Sequence, residues 1–284
     1  MLRVLHHYAH ALESRLFQLQ EMSLLRAEGV RFERGFYLDV WKSPGRTEDW
    51  VNLARFLKPT EAVLLVDVGA NVGDFTAGFL SFYKEGKSVC FEPVGTTFEK
   101  LKKRFDGDVR VAMHRCALSD ADGTGTIFLH EDNTLCTLAR YTDEVNAFYK
   151  TVTEPSEVTP CKRMDSFGFE RNGAKLLVKI DVQGFEIEVI RGALNTLKMA
   201  EVVLLECSFA NEYAGKEPSF APICAMLKDC DLYPIVFQDF GRSLSNYAFE
   251  RDVIFVKREL LEEIWFHKGG AGQAIAARNE SVGV

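Results

Sequence analysis

Between Val63 and Val256 the chain repeats one pattern: a short apolar run rich in β-branched residues, a turn, then a segment whose apolar residues recur at helical spacing. Apolar runs without alternation suit strands buried on both faces, and strands alternating with helices build a mostly parallel sheet covered on both sides. Seven strands are predicted, at Val63–Asp67, Ser88–Glu92, Val109–Met113, Leu176–Asp181, Val202–Glu206, Leu232–Phe237 and Asp252–Val256. Helices are predicted near Phe75–Tyr83, Thr97–Phe105, Phe185–Arg191 and Ala221–Lys228. The last two strands are close in sequence, so the final one is expected to run antiparallel. The fold class is therefore α/β.

The rest of the chain is arranged around this block. With 284 residues there is room for one large α/β domain, taken as 60–260, and for extensions. Residues 1–59 read as a helical lead-in: Leu5, Leu12, Leu16 and Leu19 give an amphipathic helix over about Leu2–Ala27 that Gly29 would stop. Its polar face mixes charge signs, which favours packing on its own domain or on a second copy of the chain over a membrane surface. An extended stretch Phe36–Val40 and a helix around Trp50–Leu57 complete it. Residues 120–173 are an insertion with a strand at Thr126–Leu129 and a polar loop through Glu154-Pro155-Ser156, in the manner of a lid or substrate wall. Residues 261–284 are a helix end and a Gly- and Ala-rich tail expected to fray. A formal charge of −7 opposes tracking of a phosphate backbone, so nucleic acid is not the expected partner. Seven scattered cysteines without metal-binding spacing read as reduced thiols, and no run is apolar enough to span a bilayer or act as a signal peptide. A cytoplasmic protein is expected.

Two stretches carry chemistry. The first, Asp67-Val68-Gly69-Ala70-Asn71-Val72-Gly73-Asp74, leaves one strand and opens a helix; Gly69 and Gly73 allow a tight turn, and a helix N-terminus suits an anionic group. Glu92 stands about twenty residues further on, at the end of the second strand, where a carboxylate can accept both hydroxyls of a ribose. A dinucleotide loop needs glycine at the position of Asn71 so that pyrophosphate can touch the backbone. The acidic surroundings instead suit a cationic nucleoside such as S-adenosylmethionine, its carboxylate at the helix start and Thr76, its positive charges offset by Asp67 and neighbouring acids. The second stretch is Lys179-Ile180-Asp181-Val182-Gln183-Gly184-Phe185-Glu186. Ligands of open α/β sheets bind outside the carboxyl ends of the strands, so Asp67, Glu92, Asp181 and Glu206 should face one crevice.

These motifs, with Phe91-Glu92-Pro93 and Ala117-Leu118-Ser119-Asp120, resemble the FkbM-type methyltransferase family over about Leu64 to Glu206. The resemblance implies a class I methyltransferase fold, Rossmann-like, and O-methylation of hydroxyls on sugars, glycans or natural products with S-adenosylmethionine as cofactor. It implies that Asp67, Gly69, Asn71 and Gly73 line the methionine end, that Glu92 holds the ribose, that Ala117 and Leu118 border the adenine, and that Asp181 lies closest to the transferred methyl. Gln183 stands where the family pattern carries Glu, and a neutral amide cannot take a proton, which leaves Asp181, Glu186 or Glu206. Asp181 is the first candidate base and Glu206 the second, with His114 and His130 in reserve. Asp181 and Glu206 offer two oxygen ligands and nothing marks a third, so no metal is expected. A nicotinamide-dependent oxidoreductase using the same crevice, and a non-catalytic subunit that keeps the cofactor fold, are the alternatives.

Overall fold

The computed structural model describes residues 52–149, 155–237 and 250–267. The predicted helix Leu2–Ala27, the extended stretch Phe36–Val40 and the tail from Gly269 lie outside the described residues. A helical turn at residues 52–54 leads into β1 (Val63–Val68). There follow α1 (Asp74–Phe82), β2 (Lys87–Phe91), α2 (Gly95–Arg104), β3 (Val111–His114), β4 (Ala117–Leu118), β5 (Gly123–Phe128), α3 (Asp143–Tyr149) and β6 (Ser156–Lys162). The chain continues through β7 (Lys175–Ile180), α4 (Glu186–Arg191), α5 (Leu194–Met199), β8 (Val202–Ser208), α6 (Phe220–Lys228), β9 (Leu232–Phe237), β10 (Glu250–Lys257) and α7 (Arg258–His267). Among the described residues no helix is long and apolar enough to cross a membrane.

The main sheet has seven strands in the order β3-β2-β1-β7-β8-β10-β9. The pairs from β3 to β8 are parallel, and β10 runs antiparallel to both its neighbours, as the sequence leads one to expect of the last strand. Chain order reverses beside β1, which pairs with β2 on one side and β7 on the other, and such a switch point opens a crevice at the carboxyl ends of the strands.

Side-chain parity sorts the strands between two apolar layers. Val63 and Leu65 of β1, Leu177 of β7, Leu204 of β8 and Ile254 of β10 pack under α1 and α2 with Phe79, Tyr83 and Leu101. Leu64, Val66, Val178, Leu205 and Phe255 pack on the opposite face with Val189, Leu197 and Ile223 of α4, α5 and α6. Asp67, Lys179, Glu206 and Asp252 continue the parity of the first face toward the crevice. Asp67 is the register partner of Lys179, and Asp252 that of Glu206.

A small second sheet, β4-β6-β5, takes two of its strands from the insertion: β6 pairs antiparallel with β5 and parallel with β4, which precedes the insertion. The predicted strand at Thr126–Leu129 is β5, shifted toward its N-terminus. β6 was not expected, because Pro160 interrupts its pattern and proline has no N–H for a ladder. The strand predicted from Val109 begins at Val111; the Asp108 carboxylate accepts from the Arg110 amide and side chain and holds the preceding residues in a turn.

Candidate active site

The turn from β1 into α1 passes Gly69, Asn71 and Gly73 at φ of +75°, +50° and +86°, a left-handed region costly for most side chains. Each glycine is also sterically required. A Cβ on Gly69 would stand 1.9 Å from the Asp181 carbonyl oxygen, and one on Gly73 would stand 2.4 Å from the Phe105 ring. The close approach at both positions is thus to the protein's own atoms. The loop amides are likewise consumed internally. Those of Gly69 and Ala70 donate to the Phe91 carbonyl, that of Gly73 to the Ala70 carbonyl, and that of Val72 to Asn71 Oδ1.

The Asn71 amide donates to Glu92 Oε2 at 2.9 Å, and the Val94 amide to Glu92 Oε1 at 2.9 Å. Glu92 thereby ties the end of β2 to the Gly-rich loop. Burial pushes its carboxyl up to about 7, against the pull of those two amides. Asn71 Oδ1 also accepts from Asn133 of the insertion, so the insertion fastens directly onto the loop.

Beneath the loop, Asp67 is fully buried; Oδ2 accepts from Thr76 Oγ1 at 2.7 Å and Oδ1 lies 3.7 Å from Lys179 Nζ. Burial raises the Asp67 carboxyl despite the lysine. Lys179 Nζ also donates to the Gly69 carbonyl at 3.2 Å and pairs with Asp181 Oδ2 at 3.2 Å. Burial opposes the charge on Lys179, but Asp181 and Asp67 outweigh it and raise its pKa. For Asp181, burial alone would raise the carboxyl; Lys179 and a hydrogen bond from Gln183 hold it below the usual range. Glu206 is pushed well up by burial and by Asp181, Glu250 and Asp252. Glu186, raised to about 7 by burial, accepts from the amides of Val182 and Gly184 and so shapes the turn after β7.

These groups surround a cavity of about 560 Å³ at the switch point, a size suited to a small-molecule or cofactor ligand. Of the residues singled out from sequence, Gly69, Asn71, Glu92, Ala117, Leu118, Asp181 and Glu206 line it. Asp67, Gly73 and Thr76 do not. Asp67 and Thr76 bond to each other on the α1 face and are sealed from the crevice, and Gly73 packs against Phe105 and Leu101. Neither His114 nor His130 reaches the cavity. His114 is packed against Phe91 and Phe167, where burial lowers its pKa, and His130 Nδ1 accepts from the Asp132 amide.

Several lining residues were not anticipated. Glu250 and Asp252 stand at the start of β10; because that strand is antiparallel, its amino end lies at the edge where the other strands have their carboxyl ends. Lys179 is masked in sequence by its place in a buried strand, although the Lys-Ile-Asp triplet is its signal. The insertion supplies Ile127, Asn133, Leu135 and Leu138 as a wall. In all, six acids (Asp74, Glu92, Asp181, Glu206, Glu250, Asp252) and one cation, Lys179, line the described cavity. Burial raises Glu92, Glu206 and Glu250, and Asp74 pairs with Arg104, so the lining offers a cationic guest oxygen acceptors more than a full set of negative charges. Among the described residues no group of three or more His, Cys, Asp or Glu is arranged to hold a metal ion.

The family described as "Methyltransferase FkbM domain" matches residues 67–232, more than half of the chain. "Methyltransferase 1" of Beauveria bassiana (strain ARSEF 2860) is 29% identical over an alignment of 145 residues, and the match covers 45% of this chain and 57% of that protein. Among solved structures, the methyltransferase FkbM of Methylobacillus flagellatus KT superposes with a TM-score of 0.45 at 10% identity, over 78% of this chain and 58% of that one. Precorrin-6y C5,15-methyltransferase of Geobacter metallireducens GS-15 gives 0.40 at 11% identity, over 76% and 91%. The chain spans little more than half the length of the curated relative and of the FkbM structure.

Proposed function

Because the chain belongs to the FkbM methyltransferase family, we propose that it methylates a hydroxyl of a sugar, glycan or natural-product small molecule, with S-adenosylmethionine as donor. One observation carries this reading: Glu92, just after β2, and Asp181, just after β7, line the same acidic cavity from the two sides of β1. When bound, S-adenosylmethionine supplies a methyl group already activated on a positively charged sulfur.

The residues fit that guest. Glu92 offers carboxylate lone pairs to ribose hydroxyls, and Phe91, Ala117 and Leu118 offer an apolar wall for a base. The acids of the lining outnumber Lys179, and those that burial neutralises still present oxygen acceptors to a cation. Asn71 folds its side chain back onto the Val72 amide at 2.7 Å and bonds Asn133, so its space is taken where a pyrophosphate would need bare backbone, which opposes the nicotinamide alternative.

Asp181 is the proton acceptor of this reading. Held ionised by Lys179, it is a weak base, so it orients the acceptor hydroxyl first and takes the proton late, once the oxygen has become acidic through bond formation. Glu206, held neutral, cannot take that proton while it carries its own. Positioning of the hydroxyl against the methyl is worth about 7–11 kcal/mol in well-oriented reactions and is the larger effect. A reducing, cytoplasmic setting belongs to the same reading and is supported by seven free thiols. The test is calorimetry with S-adenosylmethionine and S-adenosylhomocysteine, followed by a mass-spectrometric screen of sugar, polyketide and nucleotide-sugar pools for the gain of one CH₂. Folded protein that binds neither compound at high micromolar concentration refutes the reading.

A further inference from the structure

Gln183 sits between the two acids of the acceptor end. Its Nε2 donates to Asp181 Oδ1 at 3.1 Å and to Glu206 Oε2 at 2.6 Å, which uses both amide hydrogens. Its Oε1 lies 3.2 Å from the Tyr141 hydroxyl, whose single proton also has the Leu135 carbonyl within reach at 3.3 Å. Chemistry fixes the orientation of the amide. The ionised Asp181 oxygen only accepts, so the NH₂ group must face it and the carbonyl oxygen must face the hydroxyl. The backbone is held as well: Gln183 has a φ of +54°, and its carbonyl accepts from Thr137 Oγ1. Thr137 and Tyr141 are both buried residues of the insertion.

Resting on the proposed methyl-transfer reading, we propose that Gln183 is a positioning residue: its side-chain amide, held by Tyr141 on a backbone fastened by Thr137, joins Asp181 and Glu206 into one unit that carries a single proton on Glu206 and leaves Asp181 to receive the acceptor's proton. The surroundings set the direction. Asp181, just after β7, faces Lys179 of that strand and, beyond it, Asp67 of β1. Glu206 faces Glu250 and Asp252 from β10 and Glu186 from α4, all acids, so the proton resides on Glu206. Gln183 donates to both acids, and a protonated Glu206 helps to hold the Asp181 carboxyl down. Glutamate at 183 would bring a third carboxylate and no donor; methionine would fill the space without one.

The experiment is a ¹³C-carboxyl NMR titration of the full chain labelled on Asp and Glu, with resonances assigned through Asp181→Asn and Glu206→Gln. In the wild type, Asp181 is expected to titrate below the ordinary carboxylate range and Glu206 to remain protonated at neutral pH. Loss of a hydrogen bond to a charged acceptor in Gln183→Met should raise the Asp181 midpoint by about one to two pH units. Tyr141→Phe keeps its ring against Tyr213 and should move the midpoint the same way by less; Gln183→Glu should move it further. An Asp181 midpoint within a few tenths of a unit of wild type in Gln183→Met overturns the proposal. Should Gln183→Met fail to fold, unmoved midpoints in Tyr141→Phe and Gln183→Glu overturn it equally. Calorimetry on the same samples separates the two levels. Wild type that fails to bind S-adenosylhomocysteine sinks the cofactor reading itself, whereas bound ligand with unmoved carboxyls sinks only the role of Gln183.

Discussion

Lys179→Met isolates the interaction that holds the floor of the cavity together. The ammonium lies 3.7 Å from Asp67 and 3.2 Å from Asp181. At an effective dielectric near 20 those separations correspond to about 4.5 and about 5 kcal/mol of gross attraction. The second figure must be discounted, since the Asp181 side chain is 36% exposed and solvent screens it. Burying the ammonium offsets part of the remainder, but methionine leaves Asp67, wholly buried, with its Oδ1 facing no counter-charge. Removing one partner from a buried pair costs about 3–5 kcal/mol, and that is the expected loss at pH 8. The pH dependence has a definite sign. The Asp67 carboxyl is already raised in the wild type and rises further without the lysine, so it takes up a proton on mild acidification and the deficit shrinks toward pH 5. Asp181 is lowered in the wild type, so its own contribution is present above the ordinary carboxylate pKa and is lost only as pH falls below it. Urea unfolding followed by circular dichroism at pH 8 and pH 5 measures both. A deficit below about 1 kcal/mol at pH 8, the worth of an exposed pair, or one that grows on acidification, would refute the reasoning.

Gly69→Ala should destabilise the fold by about 2–5 kcal/mol, combining a left-handed backbone with a forced shift against the Asp181 carbonyl; an unchanged thermal midpoint would contradict the loop geometry. The Glu92 carboxyl is raised to about 7 and a protonated acid accepts ribose hydroxyls poorly, so affinity for S-adenosylhomocysteine should fall as pH drops through that value. Glu92→Gln should bind more weakly with no such step, as calorimetry across pH 6 to 8 would show. Asp181→Asn should lower turnover by about 10²–10⁴ while cofactor affinity stays within a few-fold, whereas Glu92→Ala should mainly weaken binding; equal binding losses would argue against that division.

The periodicity of the chain was enough to place the strands of the main sheet, because β-branched runs between turns leave few other ways to bury apolar surface. It was also enough to mark Glu92, Asp181 and Glu206, since residues at strand ends in a parallel sheet must meet at one edge. Less legible were elements whose local signals conflict with their context. β6 forms around Pro160, and α5 follows directly on Gly192 and Ala193, so each is stabilised by contacts distant in sequence.

What the sequence determined by itself was therefore a doubly wound α/β sheet with an acidic crevice at its switch point. Tertiary structure alone decided which acids reach that crevice and in what state. Face parity and the cover of Thr76 and Lys179 bury Asp67, the antiparallel turn of β10 brings in Glu250 and Asp252, and Gln183 comes to rest between two carboxylates. Charge and hydrogen bonding act through space over a few ångströms, so groups far apart in the chain set one another's protonation, and no local pattern of residues encodes it.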